Sequence, residues 1–276
     1  MLQRWNSIVD NIKLFVSKAK KFTKRVSEKL KKKRGRPPKH SLENYLNLIL
    51  AKEFDKKSLR STEVNLSERF CSERIDHSVI AYWESKPEVI SMLSGIVFEL
   101  GKELEKHLGK DFSMIDATKF SDWHHGETCF HLVNHISEET VYPIGISFLT
   151  GSVAAPVNEA APPGKELLYA DAGYDDNKSI GILFKKGYTP IICPNSQRWS
   201  GYWRKKARKL YKIPGNRLGY RQRGRGESPF GSLTNAFGDR IKTKNEFTIK
   251  TRIAARVITY QIKLLMRIEE LTIMNF

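Results

Sequence analysis

The chain has 276 residues, 40% of them hydrophobic and 28% charged, with a formal net charge of +18. That is enough chain for one large or two small domains with a real core, and it is too polar for a membrane-embedded protein. An excess of positive charge of this size points to a polyanionic partner, nucleic acid before membrane.

The charge is concentrated. Residues 1–40 carry fourteen Lys/Arg against two acids, and residues 198–225 carry eleven Lys/Arg and no acid, so the rest of the chain is slightly acidic. Cys71, Cys129 and Cys193 are scattered and form no Cys-x-x-Cys pair. They imply neither a disulfide framework nor a zinc site, and a reducing compartment fits. The start is basic without a long apolar core, so no signal peptide is expected. The most apolar window, Val141 to Val157, is interrupted by Pro143, Gly145 and Gly151 and is too short to span a bilayer.

Residues 1–40 read as a basic arm. Ile8, Ile12, Phe15, Val16, Ala19 and Phe22 fall at helical spacing, so part of it is expected to be an amphipathic helix. Lys31-Lys32-Lys33-Arg34-Gly35-Arg36-Pro37-Pro38 favours extended backbone. Its Arg-Gly-Arg-Pro resembles the AT-hook core, which makes Arg34 and Arg36 candidate minor-groove contacts; a solvated basic linker is the alternative.

Residues 41–108 read as an all-helical region, for DNA binding or dimerisation. Ser41 is placed to cap a helix through Leu42, Tyr45, Leu46, Ile49 and Leu50. Further helical pieces are expected over 61–69 and 78–85, and Pro87 opens a long one to Leu108.

Residues 109–276 form the third division. Phe112 to Asp116 reads as a strand ending in acid, Cys129 to Ile136 as an alternating strand, and Val141 to Leu149 as a third, in an antiparallel meander. Leu167 to Ala170 is a short apolar strand ending on Asp171. A Gly turn, a helix over 178–186 and a second apolar run, Tyr188 to Pro194, complete a βαβ unit. The fold class is α/β, a mixed five-stranded sheet flanked by helices.

Gln197 to Gly226 interleaves Trp199, Tyr202, Trp203, Tyr211 and Tyr220 with basic residues, a composition suited to phosphate contact and base stacking. A helix is expected from Ser228 to Phe237, and a last one from Ile249 to Ile273. Asp175 and Asp176 read as helix caps. His124 and His125 fall in a hairpin loop and, with no third ligand in sight, read as solvated.

Asp116, Asp171 and Glu227 stand 55 and 56 residues apart. Two carboxylates on neighbouring strands and one from a helix crossing the sheet suit two Mg²⁺ (or Mn²⁺) ions about 4 Å apart, the arrangement for in-line phosphoryl transfer. Such a cluster repels itself without metal, so it is seldom present for stability alone.

These residues resemble those of DDE transposases of bacterial and archaeal insertion sequences, which have an RNase H-like core. The resemblance covers about residues 110–260. Met114-Ile115-Asp116-Ala117-Thr118 is similar to the first-Asp strand, and Ala170-Asp171-Ala172-Gly173-Tyr174-Asp175 to the family's Asp-x-Gly-Tyr block. Tyr220, Arg223 and Glu227 match the spacing of the Tyr-Arg-Glu-Lys signature branch, with Thr234 at the Lys position. The resemblance implies Asp116, Asp171 and Glu227 as catalytic metal ligands. It implies Tyr220, Arg221, Arg223, Arg225 and Thr234, with Arg34 and Arg36, as DNA contacts. It further implies terminal inverted repeats and target DNA as partners, a homodimer on DNA, no membrane, and a prokaryotic, cytoplasmic, nucleoid-associated setting. Alternatives are a metal-dependent nuclease on the same core and an inactive DNA-binding remnant. The interval from Asp171 to Glu227 is too short for a large β insertion domain.

Overall fold

The computed structural model describes residues 10–28, 38–197 and 200–274. Backbone contacts divide the chain into two units that interleave along the sequence. One takes the residues up to Leu100 together with Asp122–Gly126 and the residues from Arg240 onward; the other takes Gly101–Ser121 and Glu127–Asp239.

The first unit is helical. Helix α1 (Ile12–Glu28) buries Phe15, Val16, Ala19, Phe22 and Val26, so the apolar stripe within the basic arm is a core face. The Asn11 side chain accepts the N–H groups of Lys13 and Leu14 and starts the helix. Ser41 caps α2 (Leu42–Phe54) by accepting from Asn44 N–H. The Phe15 and Phe54 rings stack at 4.2 Å. Residues 59–71 wind through a π-helical turn, Glu63–Ser67, followed by α3 (His77–Glu84) and α4 (Pro87–Leu108), whose residues up to Leu100 belong to this unit. The last helix of the chain, Glu246–Met274, also belongs here and supplies Ile253, Val257 and Ile258 to the core. A buried ionic network runs through it: Lys52 pairs with Glu53 and Glu84, Arg252 with Glu84, and Arg256 with Glu53. Each carboxylate has a cation, which is the condition for burying such charges at all.

The second unit is built on a sheet in the order β3-β2-β1-β4-β5. Its strands are β1 (Phe112–Asp122), β2 (Glu127–Ile136), β3 (Val141–Ser147), β4 (Leu167–Ala170) and β5 (Thr189–Ile192). The meander pairs antiparallel, and β4 then joins β1 in parallel and β5 joins β4 in parallel. This is the mixed sheet of an RNase H-like core. With a two-residue strand, β6 (Arg240–Ile241), in the first unit's part of the chain, the described residues hold six strands rather than the five expected.

β1 departs from expectation. It does not end on Asp116 but continues to Asp122, because Ala117 to Ser121 stay paired with His131 to Glu127 of β2 after the partner on the other side, β4, has stopped. α5 (Ala154–Ala160) packs so close to β3 that a Cβ on Gly145 would lie 1.8 Å from the carbonyl oxygen of Ala160. α6 (Asn177–Lys185) is capped by Asp176, which accepts from Ser179 N–H.

The basic segment after β5 folds into helices: α7 (Tyr202–Tyr211), α8 (Pro214–Tyr220) and a 3₁₀ stretch, Arg221–Glu227, leading into α9 (Ser228–Phe237). The described residues between Asp171 and Glu227 hold no strand except β5, in line with the absence of a β insertion. No described helix is long and apolar enough to cross a membrane.

Candidate active site

Parallel pairing of β1 with β4 ends with Ile115 opposite Ala170, which sets Asp116 and Asp171 as the next residues of adjoining strands. Each aspartate is held by the backbone around it. Asp116 Oδ1 accepts the Ala117 N–H at 2.8 Å, and Asp171 Oδ1 accepts the Gly173 N–H at 2.8 Å. The second contact explains the glycine, since a Cβ on residue 173 would meet that same oxygen at 2.9 Å.

Glu227 is brought in by anchors on either side. Just before it, Gly226 lies on β1, where an added Cβ would run into the Met114 side chain. The Gly226 carbonyl accepts from Asn134 Nδ2 of β2 at 3.2 Å. Just after it, the Phe230 ring packs edge-on against Phe130 of β2, with centroids 5.9 Å apart. Glu227 itself is exposed.

Arg223 ties the acids together. Its Nη1 donates to Asp116 Oδ2 at 3.2 Å, and its Nη2 lies 3.7 Å from Glu227 Oε1. Burial holds the Asp116 carboxyl above the usual aspartate range, with the charges of Asp171 and Glu227 pushing the same way, while the Ala117 N–H and Arg223 oppose them. The cluster therefore carries more negative charge than one guanidinium offsets. The three carboxylates offer oxygen donors of the kind a hard divalent cation takes, but they are not among the described groups whose donor atoms all come within 4.8 Å of one another.

Residues 107–262 match the transposase DDE domain family, more than half of the chain. The chain belongs to this family. Asp116, Asp171 and Glu227 all lie inside the matched region, and members generally work with divalent metal. No curated protein and no solved structure matches the chain.

Within the DDE domain, the other residues singled out from the sequence fall in several settings. Tyr220 belongs to an apolar cluster with Met114, Tyr169 and Ile191. Its ring meets Tyr169 and Tyr211 edge-on, and burial pushes its hydroxyl up to about 12. Arg225 turns inward, where Nη2 donates to the carbonyls of Ser137 and Glu138 in the turn between β2 and β3. Arg221 and Thr234 are exposed. Arg34, Arg36 and Trp199 lie outside the described residues.

The basic segment also has structural work. Asp175 does not cap α6, whose cap is Asp176. It is buried, its Oδ1 accepts from Arg204 Nε at 2.9 Å and its Oδ2 from Asn195 N–H at 2.8 Å, which fastens α7 to the block that follows Asp171. Lys205, Lys206, Lys209, Lys212, Arg217 and Arg221 are left on the surface. Lys212, Arg217 and Arg221, with Pro214 and Leu218, line a cavity of about 340 Å³.

One residue near the acids, His131, escaped the sequence reading, as did the partner it gives Tyr174. His131 of β2, opposite Ala117, hydrogen-bonds through Nδ1 to the Tyr174 hydroxyl at 2.8 Å. Burial holds its imidazole below the usual histidine value, with Asp171 pulling the other way. Tyr174 is itself buried, directly after the turn that holds Asp171. The signal was the Tyr of the Asp-x-Gly-Tyr block, a buried phenol that needs a partner.

Proposed function

We propose that the chain is a DNA transposase of the Tyr-Arg-Glu-Lys signature branch, with Thr234 at the Lys position and Asp116, Asp171 and Glu227 as the ligands of two Mg²⁺ (or Mn²⁺) ions. The observation that carries this reading is the juxtaposition of Asp116 with Asp171 on paired strands, joined to Glu227 through Arg223. Bound divalent ions would supply activation of the attacking hydroxyl and relief of charge on the leaving oxygen.

The chain's own residues do the positioning. Ala117 N–H and Gly173 N–H fix one oxygen of each aspartate. Arg223 offsets part of the charge of Asp116 and Glu227, and with divalent ions bound its guanidinium would be free to grip a phosphate of the scissile strand. Lys212, Arg217 and Arg221 follow the DNA backbone from the exposed side of the basic helices. In the first step a water oxygen attacks the end phosphate and the P–O3′ bond breaks, freeing a 3′-hydroxyl. In the second that hydroxyl attacks target DNA and displaces a target 3′ oxygen. The substrate ends are the element's terminal inverted repeats, and the protein works as a homodimer assembled on them in a prokaryotic cytoplasm.

The fate of a labelled 3′ end tests this reading. Transfer to a second duplex is expected, and Asp171→Ala should lower it on the order of 10³-fold while DNA binding persists. Release without transfer would make the protein a nuclease. A second reading, a DNA-binding remnant, is favoured by Thr234, whose hydroxyl offers a weaker phosphate contact than the usual lysine ammonium.

A further inference from the structure

His124 and His125 occupy the tip of the β1–β2 hairpin, within the Asp122–Gly126 segment that belongs to the helical unit. Folding brings them a third ligand that no spacing announces. The side chains of His124, His125 and Glu246 place a donor atom each within 4.8 Å of one another. We propose that these three residues form a His₂Glu site for a borderline transition ion, Zn²⁺ above all, separate from the three acids of the DDE domain.

Both halves of the site are held in shape. The buried Asp122 carboxylate accepts the N–H groups of His124 and His125 at 2.7 and 2.8 Å, which fixes the two residues side by side with ring centroids 3.9 Å apart. Asn245 caps the last helix, α10 (Glu246–Met274), by accepting from Thr248 N–H at 2.9 Å, and so fixes Glu246 at its first position. Two imidazoles and a carboxylate suit zinc, nickel or copper rather than magnesium. Zinc binds such ligands at about 2.0–2.2 Å, so the donors must draw together by small rotations. The histidines are exposed and have room to make them. Water completes the coordination.

One neighbour works against the ion. Lys250, one turn along α10, places its ammonium 2.5 Å from Glu246 Oε1. A bound cation must share or displace that contact. A second cluster in the same unit, Glu63 with Asp76 and His77, differs in this respect. There Arg74 and His77 occupy both Glu63 oxygens, leaving that carboxylate committed.

The test is calorimetric titration of the untagged full-length chain with Zn²⁺ under millimolar Mg²⁺. Asp116→Asn, Asp171→Asn and Glu227→Gln are combined in that chain so that the acids of the DDE domain do not contribute. One saturable site is expected. His124→Ala with His125→Ala, and separately Glu246→Gln, should each weaken it roughly tenfold or more, and Lys250→Ala should tighten it. Circular dichroism checks that each variant is folded. Absence of saturable binding, or binding unchanged by Glu246→Gln, would overturn the site; in the latter case the histidines alone would be taking up the metal.

Discussion

At the scale of single residues, Asp116 reports what the acids do to one another. Its carboxyl sits above the aspartate range in the folded chain, because burial and the charges of Asp171 and Glu227 outweigh the Ala117 N–H and Arg223. A folded-state pKa above the unfolded one means that the native state holds the proton more tightly. Stability therefore declines as pH rises from the unfolded value through the folded one, and stays at the lower level above it. In metal-free buffer at neutral pH, Asp116→Asn should melt no lower than the native chain, and its advantage should vanish in acid, where the native aspartate is protonated. A thermal melting series across pH checks this; a variant that melts lower at neutral pH would show that the ionised group stabilises the fold. The two aspartates were legible because a short apolar run ending in acid is a strong local pattern. His131 was not, since a histidine in an alternating strand looks like any half-exposed position until its partner, Tyr174, is seen beside it.

At the scale of elements, most helices and strands could be read from periodicity and caps, and the exceptions have physical causes. β1 was read too short because Ala117 and Thr118 are only partly buried and Lys119 is exposed, while pairing with β2 keeps them as strand beyond the last residue paired with β4. The 3₁₀ stretch before Glu227 contains Gly224 and Gly226, weak helix formers, and takes its place from contacts with Met114 and Asn134 far back in the sequence. Close packing is also hidden from sequence. Gly145 looks like an interruption in an apolar run, yet it lets α5 lie against β3 with the Ala160 carbonyl at the position a side chain would take. Gly145→Ala must push backbone away from backbone and should cost about 3 kcal/mol. Urea unfolding measures it, and a loss under about 0.5 kcal/mol, the usual size for a neutral surface change, would show that the helix is free to shift.

At the scale of the whole molecule, the sequence runs as arm, helices and DDE domain, whereas the compact units interleave: the last helix joins the helical unit, and the hairpin tip joins it too. Linear order carries no information about such returns, which is why Glu246 could not be paired with His124 and His125 in advance. Net charge, by contrast, was fully legible and has a direct consequence. Several basic residues of the 198–225 segment are spent inside the fold, Arg204 and Arg225 among them. The salt dependence of DNA binding should follow the exposed ones. Replacing Lys212, Arg217 and Arg221 together with alanine should flatten the slope of log affinity against log salt by about 0.9 for each phosphate no longer neutralised. An unchanged slope would move the DNA path elsewhere.

The most direct measurement is cleavage and joining of DNA carrying the element's own ends, with and without Mg²⁺, for the native chain beside Glu227→Gln. Metal-dependent cleavage and joining are expected of the native chain and neither of the variant, with DNA binding retained in both. Binding without cleavage in both proteins would contradict this expectation, identify a DNA-binding remnant, and make Thr234→Lys the next protein to assay.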